Sequence, residues 1–230
     1  MLLPHFIRDK YPKLYQRYIS ILSINGRHSH RLDPLISKLC LPTLIIADLD
    51  SAEKDGHHKS ARPERGKKLI SGNYAITKWL IKENDLDKLL NLEADKKEFT
   101  YEAPYRYSIR IAYQTPVTVK YESSDVEALS STFEDCLVYT NYELFKNIET
   151  VDSDSLVKKI HDAAITKDSF DTFHEKIYKM FKNGKSDQKA EFALDMIYDI
   201  DPKDITVPSY IAGGLEWLQV LLCPEGECND

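Results

Sequence analysis

The chain has 230 residues, of which 42% are hydrophobic and 30% charged, and its formal net charge is −6. That composition describes a globular chain with room for one large or two small domains. No window approaches eighteen uncharged apolar residues, which excludes a transmembrane helix, and Met1 to Phe6 lack the basic start and long apolar stretch of a secretory signal, so a cytoplasmic location is expected.

The predicted elements follow in chain order. Residues 1–18 read as a helix with Phe6, Ile7, Tyr11, Leu14, Tyr15 and Tyr18 as its apolar positions and Pro12 as a point of interruption. Residues 19–24, Ile-Ser-Ile-Leu-Ser-Ile, read as a short buried strand, and Asn25-Gly26 as the turn after it. Residues 31–40 read as a helix through Leu32, Leu35, Ile36 and Leu39, and residues 43–48 as a second strand. A strand, a helix and a strand in this order imply a parallel pair with a crossover. Residues 51–72 are a polar, basic segment too long for an ordinary connection. Residues 73–92 resume a helical pattern, and 105–121 alternate as two strands broken near Pro116. Helices are expected from Thr132 to Phe145, over 153–182, over 187–198 and from Pro208 to Leu222, the last weakened by Gly213-Gly214.

Chemistry concentrates at the end of the second strand, in Ile46-Ala47-Asp48-Leu49-Asp50. On a strand, residues i and i+2 share a side, so Asp48 and Asp50 would project together from the carboxyl end, where ligands bind in open α/β sheets. Two adjacent carboxylates repel unless a cation sits between them, and hard Mg²⁺ or Mn²⁺ suits oxygen donors. The plainer alternative is a solvated pair opening a loop. In Ser131-Thr132-Phe133-Glu134-Asp135, Ser131 with Glu134 fits a helix capping box; the functional alternative is a third acidic group completing a metal site. Lys189 falls in the first turn of a helix with Ser186 as its N-cap, where it opposes the helix dipole. It is either an exposed lysine or a charge that stabilises a phosphorane-like transition state. Gly26-Arg27-His28-Ser29-His30-Arg31 opens a helix with backbone N–H groups and basic side chains suited to a phosphate. No Gly-x-x-x-x-Gly-Lys-Ser/Thr pattern occurs, so the chain carries no recognisable ATPase. The net negative charge argues against passive nucleic-acid binding but not against a nuclease, because a bound metal inverts the local field. Cys40, Cys136, Cys223 and Cys228 are not at zinc-ligand spacing with histidines; Cys223 and Cys228 could approach each other, but reduced thiols are expected. A strand followed by Asp-x-Asp also suits haloacid-dehalogenase phosphatases, but Ser51-Ala52-Glu53 departs from their Asp-x-Asp-Gly-Thr opening.

Six segments together resemble the C-terminal Toprim nuclease region of the overcoming-lysogenization-defect (OLD) family of ATP-dependent endonucleases. They are residues 24–31, 42–51, 110–117, 132–135, 189–194 and 207–218, in that order. The resemblance implies an α/β fold, a Toprim-like doubly wound parallel sheet flanked by helices, with an additional helical region. It implies a core over 1–150, including the basic loop 51–72 and strands 105–121, a helical insertion over 151–186, and completing helices over 187–230. It further implies divalent-metal-dependent DNA cleavage, with two cations (Mg²⁺ or Mn²⁺), Asp48, Asp50 and Asp135 as metal ligands, Lys189 and Glu134 as catalytic groups, and either Glu134 or Asp135 facing the metal. Arg27, His28, His30 and Arg31 would contact nucleic acid. The expected partners are DNA, an N-terminal ATPase domain in the full-length protein and a second copy of the chain, in a setting of phage defence or DNA repair. One departure stands out: relatives carry Glu-Gly-x-x-Glu just before a segment like Met1 to Phe6, and this chain has no such motif. The first Toprim strand and its metal-binding glutamates are therefore expected to be missing, leaving weak activity in isolation and an open sheet edge. The alternative is a degenerate Toprim module that binds DNA, metal or a partner without catalysis.

Overall fold

The computed structural model describes residues 2–24, 26–55, 59–149, 155–182 and 186–224, except the side chains of Gly26, Arg27, Ser186 and Asp187. In chain order it forms α1 (Leu2–Lys10), α2 (Pro12–Tyr15), a 3₁₀ helix (Gly26–Leu32), α3 (Asp33–Leu39), β1 (Thr43–Ile46), β2 (Ser51–Ala52), β3 (Ile70–Ser71), a π-helical turn (Ala75–Trp79) and α4 (Leu86–Leu90). A 3₁₀ turn (Asp95–Lys97), β4 (Glu98–Tyr101), β5 (Tyr107–Ala112), β6 (Val117–Tyr121) and β7 (Ser124–Ala128) follow. The remainder is helical: α5 (Phe133–Thr140), α6 (Tyr142–Asn147), α7 (Leu156–Ile165), α8 (Phe170–Lys182), α9 (Ser186–Asp199) and α10 (Ser209–Leu222). This is a mixed α/β fold, and no described helix is long and apolar enough to cross a membrane.

Two compact units share the chain. The first comprises Tyr11–Thr115 and Ser209–Asp230. Its sheet has the order β1-β5-β4, with β1 parallel and β4 antiparallel to β5. β5 is central, and its Ile109 and Ile111 are fully buried. β1 has β5 on one side; among the described residues no strand pairs with its other side. The glycine pair expected to weaken α10 instead lets it lie close to the sheet. A Cβ at Gly214 would fall 2.9 Å from Leu44 Cδ1 and 3.4 Å from Ala112 Cβ, one contact on β1 and one on β5.

Residues 19–24 are not a strand. They carry no regular structure; Ile19 is partly covered and residues 20–24 are exposed, Ile21 and Leu22 included. Their alternating apolar pattern is genuine, but no described chain pairs with it, and an unpaired strand gains neither ladder hydrogen bonds nor burial. The expected strand–helix–strand unit therefore does not form, and the parallel partner of β1 is β5, which lies 66 residues downstream in register. The helical pattern of 73–92 is also interrupted. Lys82 takes a left-handed conformation, and Asp85 restarts the helix as an N-cap whose side chain accepts from Lys88 N at 3.0 Å. The strands either side of Pro116 form in different places: β5 joins this sheet, whereas β6 pairs with β7 in the second unit.

The second unit comprises Met1–Lys10 and Pro116–Pro208. The β6–β7 hairpin, with Glu122 left-handed at its turn, packs on α5 and α6, and its Tyr121 meets Phe170 and Phe173 of α8. Tyr139, Phe145, Phe173 and Phe192 are buried to 1% exposure or less and form its core. The predicted helix from Thr132 to Phe145 is two helices, because Asn141 turns its side chain to the backbone. Its Nδ2 donates to Leu137 O and Thr206 O, and its Oδ1 accepts from Thr206 N. His174 is buried with Nε2 2.8 Å from Leu129 O, a satisfied core histidine.

Candidate metal centre and nucleic-acid contacts

β1 ends at Ile46, two residues before Asp48, and Asp50 has φ +50°. Strand alternation therefore does not orient the two aspartates. Hydrogen bonds from Gln114, Asn73, Ser71 and Gly72 instead fix the Asp48 side chain and the backbone from Asp48 to Asp50. Gln114 is fully buried; its Nε2 donates to Asp48 Oδ1 at 2.9 Å and to Tyr210 Oη at 3.3 Å, while its Oε1 accepts from Leu49 N at 2.7 Å. Asn73 is equally buried and donates from Nδ2 to Asp48 O at 2.9 Å, while its Oδ1 accepts from Ala75 N. Ser71 Oγ donates to Leu49 O at 2.7 Å, and Gly72 N donates to Asp50 O at 2.9 Å. Every backbone carbonyl from Asp48 to Asp50 thus has a fixed donor, and the left-handed Asp50 is held without a glycine.

Two half-buried carboxylates on a pinned loop offer hard oxygen donors, and Mg²⁺ is commonly held by one or two carboxylates with water and phosphate. Asp48 and Asp50 fit that requirement. No group of three or more His, Cys, Asp or Glu side chains positioned to hold a metal occurs among the described residues.

Glu134, Asp135 and Lys189 belong to the other unit. Lys189 Nζ donates to Glu134 Oε2 at 2.8 Å, and both side chains are partly covered. Two residues singled out separately in the sequence thus meet across 55 positions. Asp135 has a different setting. It is 1% exposed; Oδ2 accepts from Ser131 N at 3.0 Å, and Oδ1 accepts from Thr132 N at 2.9 Å and Thr132 Oγ1 at 3.2 Å. The capping box is therefore Thr132 with Asp135, one residue later than the expected Ser131 with Glu134. Burial raises the Asp135 carboxyl to about 6, although its backbone donors favour the charged form.

The basic run 26–31 forms the 3₁₀ helix rather than the start of an α-helix, and α3 begins only at Asp33. His28 and Arg31 are exposed and His30 is partly covered. The side chain of Arg27 lies outside the described residues, as does Cys228. Cys40, Cys136 and Cys223 are free thiols.

The roles of Gln114 and Asn73 were missed in the sequence. The available signal was an amide placed directly after the apolar run of β5, and an Asn before the next helical pattern; neither reveals its partner 66 or 25 positions away.

An α/β fold with paired carboxylates just beyond a parallel strand belongs to the broad class of α/β folds that bind ligands at the carboxyl ends of their strands. Residues 1–50 match the family described as overcoming lysogenization defect protein-like, TOPRIM domain. The chain is also 31% identical over 231 aligned residues to Endonuclease GajA of Bacillus cereus (strain HuB5-5), a match covering 98% of this chain. The chain is thus similar to the OLD-like Toprim domain over its first 50 residues and to an endonuclease along nearly all of its own length. It spans about 30% of the length of that curated relative. No solved structure matches it.

Proposed function

We propose that the chain is the divalent-metal-dependent, DNA-cleaving part of an OLD-family endonuclease, built on a doubly wound Toprim core. The observation that carries this reading is the pinned Asp48–Asp50 loop in a chain similar along 98% of its length to an endonuclease. Asp48 and Asp50 would hold the cation, Mg²⁺ or Mn²⁺. When bound, such a cation activates water and steadies the leaving oxygen of a phosphodiester. Gln114 and Asn73 keep the Asp48 carboxylate and backbone in place. Lys189 supplies positive charge to the phosphate and Glu134 positions it, an assignment supported by their ion pair. Asp135, with both oxygens engaged at the start of α5, sets the orientation of that helix and so of Glu134. Arg27, His28, His30 and Arg31 contact the DNA backbone.

The fuller-length protein is expected to add an ATPase domain and to assemble as a homo-oligomer, and its metal centre to include donors beyond the two aspartates. We therefore expect weak cleavage by the 230-residue chain alone. A second reading, a Toprim module that binds without cleaving, is favoured by the lack of a three-donor cluster among the described residues. Nicking of supercoiled plasmid in Mn²⁺ separates them. Slow nicking that Asp48→Ala abolishes supports the nuclease. Metal binding with no nicking supports the binding module. Robust nicking would overturn the expected weakness, and nicking unchanged in Asp48→Ala would overturn the site.

A further inference from the structure

Tyr74 and Lys78 were not among the residues the sequence singled out, yet Tyr74 is the chain neighbour of a residue that holds the candidate site, and Lys78 lies over the Tyr74 ring. Tyr74 follows Asn73, whose side chain donates to Asp48 O. It opens the π-helical turn Ala75–Trp79, closed by the Leu80 N to Ala75 O hydrogen bond at 3.1 Å. Such turns are rare and frequently sit at functional sites. Tyr74 is 39% exposed, and Lys78 Nζ lies over its ring, 4.3 Å from the centroid. Two histidines of the 3₁₀ helix close around the same ring. His30 meets it edge-on at 5.9 Å and 82°, and His28 at 6.2 Å and 49°. His30 Nδ1 is buried without a hydrogen-bond partner, so the imidazole is held by ring packing alone at that atom.

An exposed aromatic ring, backed by imidazoles and capped by an exposed lysine, is the kit that single strands of nucleic acid use. Bases stack on the ring irrespective of sequence, and the cation takes a backbone phosphate. The Lys78 ammonium occupies the ring face only loosely, because a solvated lysine-over-tyrosine contact at a surface is weak. A base arriving on that face moves the ammonium outward, towards the phosphate that accompanies the base.

We propose that Tyr74 is a stacking platform for an unpaired nucleobase of the DNA substrate, with Lys78 on its phosphate and His28 and His30 bracing the ring beside Asp48. The proposal rests on the reading of this chain as a DNA-cleaving domain and adds to it a contact with the base. It implies that the strand is locally unpaired where it passes the Asp48 loop.

The test uses the full 230-residue chain and a single-stranded oligonucleotide carrying 2-aminopurine, read by fluorescence quenching and anisotropy. The parent is expected to bind and to quench, since stacking on tyrosine quenches the base. Tyr74→Ala should lose the quenching and weaken binding by roughly 5-fold to 100-fold, while Tyr74→Phe retains both. Lys78→Ala should weaken binding and lower the salt slope by about one. A matched duplex should bind more weakly than the single strand. If the parent binds and Tyr74→Ala binds and quenches like it, or if Tyr74→Phe loses as much as Tyr74→Ala, the platform is wrong although DNA binding stands. If the parent binds no DNA, the underlying reading fails with it. Mn²⁺ binding by Tyr74→Ala, measured alongside, should match the parent; its loss would show that the substitution disturbs the Asp48 loop and would count against a direct role in stacking.

Discussion

At the scale of single residues, the candidate site depends less on its carboxylates than on the amides behind them. Gln114 answers Asp48 Oδ1, Leu49 N and Tyr210 Oη from a fully buried position. Gln114→Leu preserves bulk but removes the acceptor for the amide of a buried residue. It should cost about 1–3 kcal/mol in urea unfolding, the penalty of an unsatisfied buried group, and weaken Mn²⁺ binding through Asp48. Asp135 gives a pH signature. Its folded-state carboxyl is raised to about 6 from an ordinary 3.8, so the folded chain binds this proton more tightly than the unfolded one. The associated stability is fully present below about pH 3.8 and is lost as pH rises through about 6, on the order of 3 kcal/mol in all. Thermal melts at pH 4 and pH 7 should show that Asp135→Asn flattens this dependence relative to the parent. An unchanged slope would mean that the three donors at Asp135 outweigh its burial.

At the scale of elements, the two glycines of α10 separate helix propensity from packing. A Cβ at Gly213 would sit 3.5 Å from Arg110 Nη2, an ordinary contact, so Gly213→Ala should stabilise by up to ~1 kcal/mol. At Gly214 a β-branched side chain must displace Leu44 and press on Ala112, and Gly214→Val should destabilise by about 1–3 kcal/mol. Urea unfolding of the two variants checks both signs. The same elements show what the sequence could convey. The helix of α10 and the strand Thr43–Ile46 were legible from apolar spacing, because burial on one side writes itself into the chain locally. Residues 19–24 misled, because an Ile-Ser-Ile-Leu-Ser-Ile pattern specifies a strand only when another strand is there to pair with it. The shift of the capping box from Ser131 to Thr132 was equally beyond reach. Ser131-x-x-Glu134 and Thr132-x-x-Asp135 both fit the pattern, and only the burial of Asp135 decides between them. Asp48 and Asp50 could be picked out by type and place, but the setting of Asp48 comes from Gln114 and Asn73, tertiary partners with no local signal.

At the scale of the whole chain, the aspartate pair and the Glu134–Lys189 ion pair belong to two different compact units. Each can be tested without the other, and the aspartate pair comes first because the proposed chemistry needs a cation. The decisive measurement is Mn²⁺ binding to the 230-residue chain by electron paramagnetic resonance, with Asp48→Asn and Glu134→Gln as matched variants. The account predicts that the chain binds Mn²⁺, that Asp48→Asn weakens binding by at least about tenfold (roughly 1.4 kcal/mol), and that Glu134→Gln leaves it within about twofold, some 0.4 kcal/mol on the same scale. Equal binding by the parent and Asp48→Asn, or no binding by the parent, would contradict it.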